Sequence, residues 1–219
     1  MPTEHIVAQG EFLSSIAARY GFASHRPIWD DPANAELRAR RKSPSILLPG
    51  DRVVIPDRAS RGEVGATGSR HSFVVHRERL ELALVIRDEA GEPVANAPCT
   101  LEVEGQSESL DTDDDGKVSA PIPHRTQQGR LVLRRSDPPI SLDLLLAVGA
   151  LDPIDTATGQ ISRLNNLGYD AGPPSAPTTP ETTERVRSAV EEFQCNSGLT
   201  VDGVCGPKTQ AELEKAHGC

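Results

Sequence analysis

Asp111, Asp113, Asp115 and Gly116 in the stretch DTDDDG stand at the spacing that opens a calcium loop, where alternating carboxylates converge on a hard cation. The pattern then fails. The bidentate acid needed at the twelfth position falls on Ile122, and the flanking residues alternate as strands do. The six histidines, His5, His25, His71, His76, His124 and His217, show neither H-x-H nor H-E-x-x-H spacing, so they offer no metal-ligand set. The four cysteines include no C-x-x-C pair and carry no local signature of a nucleophile, and no G-x-S-x-G elbow occurs. DTDDDG is therefore expected to be a solvated hairpin turn. No metal, no cofactor and no catalytic residue is assigned, and the chain reads as a binding or structural protein rather than an enzyme.

Composition bounds what surrounds these residues. The 219-residue chain has 18 Gly, 18 Pro and only 3% aromatics, which points to small domains with modest cores joined by turn-rich segments. A formal net charge of -9 disfavours nucleic-acid phosphates and anionic membranes as partners of the whole molecule. No apolar run approaches the ~18 residues of a membrane span. The opening MPTEHIVAQGEF lacks a charged lead followed by an apolar stretch. The expectation is synthesis in the cytoplasm, with any export to periplasm or target cell by another route.

Residues 1–57 read as strand, helix, helix, strand. His5, Ile6 and Val7 begin a strand; Leu13, Ile16, Ala17 and Tyr20 then fall at spacings of three and four, one face of a helix that Gly21 stops. IWDDPANAELRARR supplies a second helical stretch carrying Trp29 and Leu37, with RARRK as a solvated face, and LLPGDRVVIP a turn followed by the strand Val53, Val54, Ile55. Val7, Gly10, Glu11, Leu13, Ile16 and Ala17, followed by Pro49, Gly50, Val53, Ile55 and Pro56, resemble the two motifs of the LysM domain. That resemblance implies a βααβ fold and a groove for N-acetylglucosamine-containing glycan, with Gly10, Glu11, Phe12 and Leu13 on one side and Leu47, Leu48, Pro49 and Gly50 on the other. Phe12 stands where the family usually has Thr or Ser, so the helix cap and a hydroxyl for sugar contact are missing.

Residues 58–70 are polar and glycine-rich without periodicity, as a linker is. From 71 to 150 the period becomes 2. Leu80, Leu82, Leu84 and Ile86 alternate with Glu81, Ala83, Val85 and Arg87, and EPVANAPCTLEVEG, GKVSAPIP, GRLVLRR and ISLDLLLAVG supply further short strands. The expected architecture is a β-sandwich, and DEAGEPVANA with DTDDDGKV resembles the immunoglobulin-like modules of bacterial surface proteins.

Residues 151–219 contain Ile161, Leu164 and Leu167 on one helical face, Val186, Ala189, Val190 and Phe193 on a second, and a last helix opening near Pro207 or Thr209. Leu164, Leu167, Gly168 and Tyr169, then Ala189, Val190, Phe193 and Gln194, then Gly198, Leu199, Asp202, Gly203, Gly206, Pro207, Thr209 and Leu213 resemble the three-helix peptidoglycan-binding domain. The resemblance makes Asp202, Gly203, Gly206 and Thr209 the motif residues. The matching turn in the first half has lost its D-G-x-x-G-x-x-T pattern, with Val186 in the place of Thr. A last helix from Pro207 to His217 separates Cys205 and Cys219 by ~20 Å, too far for a disulfide.

The whole is thus expected to be a multi-domain α+β chain: a LysM-like domain, an immunoglobulin-like β-sandwich and a small helical peptidoglycan-binding-like domain. That order resembles proteins associated with type VI secretion and related contractile injection systems. It implies a non-catalytic peptidoglycan-binding accessory or cargo; the alternative is a structural adaptor whose folds contact spike or baseplate proteins only.

Overall fold

The computed structural model describes residues 2–58, 65, 67–72, 80–88, 90–136 and 139–218. The chain forms two compact units, one of Met1–Ser45 with Pro49–Ala150 and one of Ile46–Leu48 with Leu151–Cys219. Residues 59–64 and 66 of the expected linker lie outside the described residues.

The first unit opens with β1 (Thr3–Ile6) paired antiparallel to β2 (Arg52–Ile55), from Thr3 opposite Ile55 to Ile6 opposite Arg52. Between them, α1 (Leu13–Arg19) buries Leu13, Ile16 and Ala17. Phe12 offers α1 no side-chain cap; Ser15 compensates by accepting from Phe12 N at 3.1 Å and donating to Phe12 O at 2.7 Å. The expected single second helix is broken into α2 (Arg26–Trp29), a 3₁₀ turn (Pro32–Asn34) and α3 (Ala35–Arg41). Pro32 causes the break: it has no N–H and holds Asp31 in extended conformation, ψ 132°, from which Asp31 Oδ1 accepts from Ala33 N at 2.8 Å. The buried Asn34 then ties this turn to the sheet, donating to Ile28 O and Val54 O at 2.8 and 2.7 Å and accepting from Val54 N at 2.8 Å.

RARRK is only partly a solvated face. Arg40 is exposed, but Arg38 turns inward to donate to Trp29 O and Asp31 O. Arg41 grips Asp51 through Nε–Oδ2 at 2.6 Å and Nη2–Oδ1 at 2.8 Å, with side chains 6% and 2% exposed.

The remainder of the first unit holds two antiparallel sheets around one core. β3 (Leu80–Val85) pairs with β6 (Lys117–Ile122), and a four-stranded sheet has the order β5-β4-β7-β8, formed by β4 (Pro98–Val103), β5 (Gln106–Asp111), β7 (Gln128–Ser136) and β8 (Pro139–Ala147). Val118, Ala120 and Ile122 from one sheet and Cys99, Leu101, Leu131 and Leu133 from the other fill the core. β5 has no apolar alternation. It exists because Glu104 and Gly105, both at positive φ (50° and 78°), make a two-residue turn that folds it back onto β4.

DTDDDG proves not to be a hairpin: β5 and β6 belong to different sheets, so the stretch is a crossover between them. Asp113 Oδ1 accepts from Asp115 N and Lys117 N at 3.0 and 2.8 Å, and Asp88 Oδ1 does the same for Ala90 N and Glu92 N in DEAGE. Both D-x-x-G-x turns close with Gly at positive φ (Gly91 83°, Gly116 72°), and at Gly116 a side chain would meet Ile86 O at 2.5 Å. The buried Thr112 anchors the crossover, accepting from Ala97 N at 2.9 Å and donating to Val94 O at 2.6 Å.

The second unit carries α4 (Ala157–Asn166), α5 (Pro180–Asn196) and α6 (Pro207–His217) around Leu164, Ala171, Ala189, Val190, Phe193 and Leu213. α5 begins six residues before Val186, the first residue of its apolar face, because Thr179 caps it and Pro180 occupies the first helical position, where its missing N–H costs nothing. α4 and α5 end alike: Gly168 and Gly198 take positive φ, and Tyr169 N and Leu199 N reach back to Leu164 O and Gln194 O at 2.9 and 2.8 Å. Cys195 is exposed, whereas burial pushes the Cys205 thiol up to about 11; Cys219 lies outside the described residues.

The Arg41–Asp51 pair generates a stability prediction. Arg41→Met removes the guanidinium that a buried carboxylate is paired with and is expected to cost about 3–5 kcal/mol, read from urea unfolding followed by Trp29 fluorescence. Adding Asp51→Leu should recover most of that loss, since two apolar side chains need no partner.

Candidate functional site

The candidate motif residues of the second unit gather at the α5–α6 turn. The Gln194 side chain, 1% exposed, projects from α5 and satisfies the turn from inside. Its Oε1 accepts from Asp202 N and Gly203 N, each at 3.0 Å. Its Nε2 lies 2.8 Å from Asp202 Oδ1, 3.1 Å from Val204 O and 3.0 Å from Thr209 Oγ1. Asp202 also accepts from Val204 N at 2.9 Å, and the Gln194 and Val204 donors hold its carboxyl below the usual aspartate range. Gly203, φ 69°, approaches α5 so closely that a side chain would meet Arg187 Cγ at 2.7 Å and Glu191 Oε1 at 2.9 Å. Gly206 is the N-cap of α6.

All four motif residues, Asp202, Gly203, Gly206 and Thr209, are thus brought together, and each has a structural task within the turn. Gln194 appears in the motif pattern, but its role was not assigned from sequence, because a single Gln at the end of a helix does not announce which backbone it will satisfy. The turn leaves two large apolar side chains outside, Val201 at 52% and Val204 at 61% exposure, on either side of the exposed Asp202. A turn whose polar groups are consumed internally can present a preformed apolar contact without reorganising.

The first-half turn is built from different residues. Asn165 accepts from Ala171 N at 3.0 Å and donates to Gly172 O at 2.8 Å, and Arg185 clamps Asp170 at 2.5–3.0 Å. Val186 packs on the helical core instead of bonding. A shallow groove beside it, lined by Asp170, Pro180, Glu181, Glu184, Arg185 and Glu192, is strongly acidic.

The candidate glycan residues of the first segment lie differently. Glu11, Phe12 and Leu13 are 8%, 4% and 0% exposed. Glu11 is committed: Oε2 accepts from Ala8 N at 2.9 Å and contacts His5 Nε2 at 2.8 Å, while Oε1 meets Arg19 Nη1 at 2.6 Å. Tyr20 Oη stands 3.2 Å from His5 Nδ1. With His5 neutral, the acceptor-only carboxylate selects the Nε2–H tautomer, and Nδ1 accepts from Tyr20. Gly10 and Phe12 are covered from the β-sheet portion of the same unit, where a side chain at Gly149 would meet Gly10 O and Phe12 Cδ1 at 2.7 Å. Leu47 is 4% exposed, Leu48 half-buried, and both belong to the second unit, whereas Pro49 and Gly50 are exposed and belong to the first. Among the described residues no cluster of three or more His, Cys, Asp or Glu has metal-site geometry, and no helix is long and apolar enough to cross a membrane.

Two measurements check this geometry. Gln194→Ala leaves Asp202 N and Gly203 N without their acceptor and should cost about 2–4 kcal/mol, with loss of amide-exchange protection at residues 202–204. For Glu11, burial raises the carboxyl but the Ala8 N–H, His5 and Arg19 outweigh it, so its folded value lies below its unfolded one. Its contribution is complete above the ordinary glutamate range and is lost as pH falls through the depressed value. Glu11→Gln should accordingly lower the melting temperature at neutral pH and flatten its decline in acid.

No curated protein and no solved structure matches the chain. Residues 162–213, which run from within α4 into α6 and include the whole Gln194 turn, match the family model described as a putative peptidoglycan binding domain.

Proposed function

We propose that this chain is a non-catalytic peptidoglycan-binding protein whose second unit makes the wall contact. One observation carries the reading: the family match coincides with a three-helix unit whose motif turn is rigid and turns Val201 and Val204 outward. Both the chain and the carboxylate-bearing peptide stems of the wall are negatively charged, so affinity rests on short-range contact with a preformed surface.

The strand–helix–helix–strand order of residues 1–57 supports a LysM-like module, and the two-sheet core of residues 80–147 an immunoglobulin-like one. The burial of Glu11, Phe12 and Leu13 favours a scaffolding role for the first module over a glycan groove. A second reading, resting on the domain order alone, is an adaptor that contacts spike or baseplate proteins of the type VI or related contractile systems that this order resembles.

Co-sedimentation with purified sacculi tests the first reading. Wild type should be retained with little change in high salt, and Val201→Asp with Val204→Asp should lower retention about tenfold at unchanged circular dichroism. Wild type remaining in the supernatant while co-purifying with spike or baseplate subunits would replace wall binding with the adaptor.

A further inference from the structure

We propose that β8 is a self-association edge, which pairs antiparallel with β8 of a second copy of this chain. β8 ends the four-stranded sheet and is bonded on one side only, to β7, among the described residues. Val148 N donates to Gln127 O at 2.9 Å, which sets the parity of the ladder. Ile140, Leu142, Leu144 and Leu146 aim their backbone groups at β7, and Ser141, Asp143, Leu145 and Ala147 present theirs to the open side.

Other edges of this unit are blunted in the ways that discourage pairing. β5 reads QSESLD, with every residue but Leu110 exposed. β6 carries Pro121 opposite Glu81; because Ile86 N donates to Gly116 O, this position faces away from β3, and the missing N–H falls on the open side. β3 carries the exposed Glu81. β8 carries Pro139 at its first position, but from Ile140 to Ala147 it has no such device. Its one charge, Asp143, is already held by Arg130 at 2.8 and 2.5 Å, and Leu145 is 86% exposed. On its inner face Ile140, Leu142, Leu144, Leu146 and Val148 are only partly buried against the core.

The order of that inner row selects the occupant. Ile140, Leu142, Leu144, Leu146 and Val148 read the same in both directions about Leu144, β-branched at the ends and Leu within. A two-fold interface requires residue i to meet j while j meets i, so such a row is its own complement. An axis at Leu144 sets Leu142 against Leu146 of the second copy, Ile140 against Val148, and Asp143 against Leu145. The residues that exchange hydrogen bonds are then Asp143 and Leu145, the ones with open backbone groups. An axis one residue earlier opposes two Asp143 carboxylates and is disfavoured on charge.

Sedimentation velocity and light scattering on the full chain over a wide concentration series test the proposal. A monomer–dimer equilibrium is expected. Leu145→Glu, which sets a second carboxylate opposite Asp143, should weaken it about tenfold or more. Leu145→Pro removes an N–H that the sheet itself does not use, so it should abolish the dimer at near-native circular dichroism; if it unfolds, Leu145→Glu, an exposed side-chain change, carries the test. Leu144→Cys, with the four native cysteines changed to Ser, should oxidise to a disulfide-linked dimer. A wild type that stays monomeric throughout, or a dimer that Leu145→Glu leaves intact, overturns the proposal.

Discussion

The second unit depends on one buried carboxamide. A turn between two helices must bring main-chain N–H and C=O groups near the core without water to solvate them, and each unpaired group costs on the order of 1–3 kcal/mol. Gln194 meets this demand from a single side chain, because an amide both donates and accepts. Its acceptor holds Asp202 N and Gly203 N; its donor reaches Asp202, Val204 and Thr209. The close approach of Gly203 to α5 and the start of α6 at Pro207 both follow from that anchorage.

The same solution recurs in the first unit. Asn34 bonds Ile28 and Val54, and so joins the broken helical segment to β2. Thr112 bonds Ala97 and Val94 where the chain crosses between sheets. In each case a buried polar side chain stands where regular hydrogen bonding is interrupted. The two-sheet core that Thr112 borders holds no aromatic ring, so apolar burial alone gives such a joint little definition; a short polar anchor supplies it.

The two candidate sites differ in how polar groups are divided between inside and outside. In the Gln194 turn the main-chain hydrogen bonds are met from inside by the carboxamide, and Val201 and Val204 are exposed on either side of Asp202. In the loop after β1 the division is similar, but the outward side is covered: Glu11 is committed to Ala8, His5 and Arg19, and Phe12 lies beneath Gly149. Two loops that both look like ligand sites as strings of residues therefore differ in access: of these two, the α5–α6 turn exposes its apolar side chains and the loop after β1 buries Glu11, Phe12 and Leu13.

Much of the architecture was legible in the residues alone. Period-3 and period-4 spacing located α1 and the cores of α4 and α5, and alternation located β3, β4, β6, β7 and β8, because those periods record which face a local element must bury; α6 was legible from the helix-start signals at Pro207 and Thr209. The motif Asp202, Gly203, Gly206 and Thr209 was legible through the resemblance to the three-helix peptidoglycan-binding domain, and such a pattern persists because tight turns admit few residue types. Tertiary structure decided the rest. β5 is a strand only because a turn at Glu104 and Gly105 lays a polar segment along β4, and DTDDDG joins two sheets because β5 and β6 take different partners. Arg41 is buried because Asp51 waits for it, ten residues on. The exposure of Val201 and the concealment of Phe12 likewise depend on what packs above each. Local sequence determines what a segment prefers to be, whereas pairing, burial and access depend on neighbours distant along the chain, and no local pattern records them.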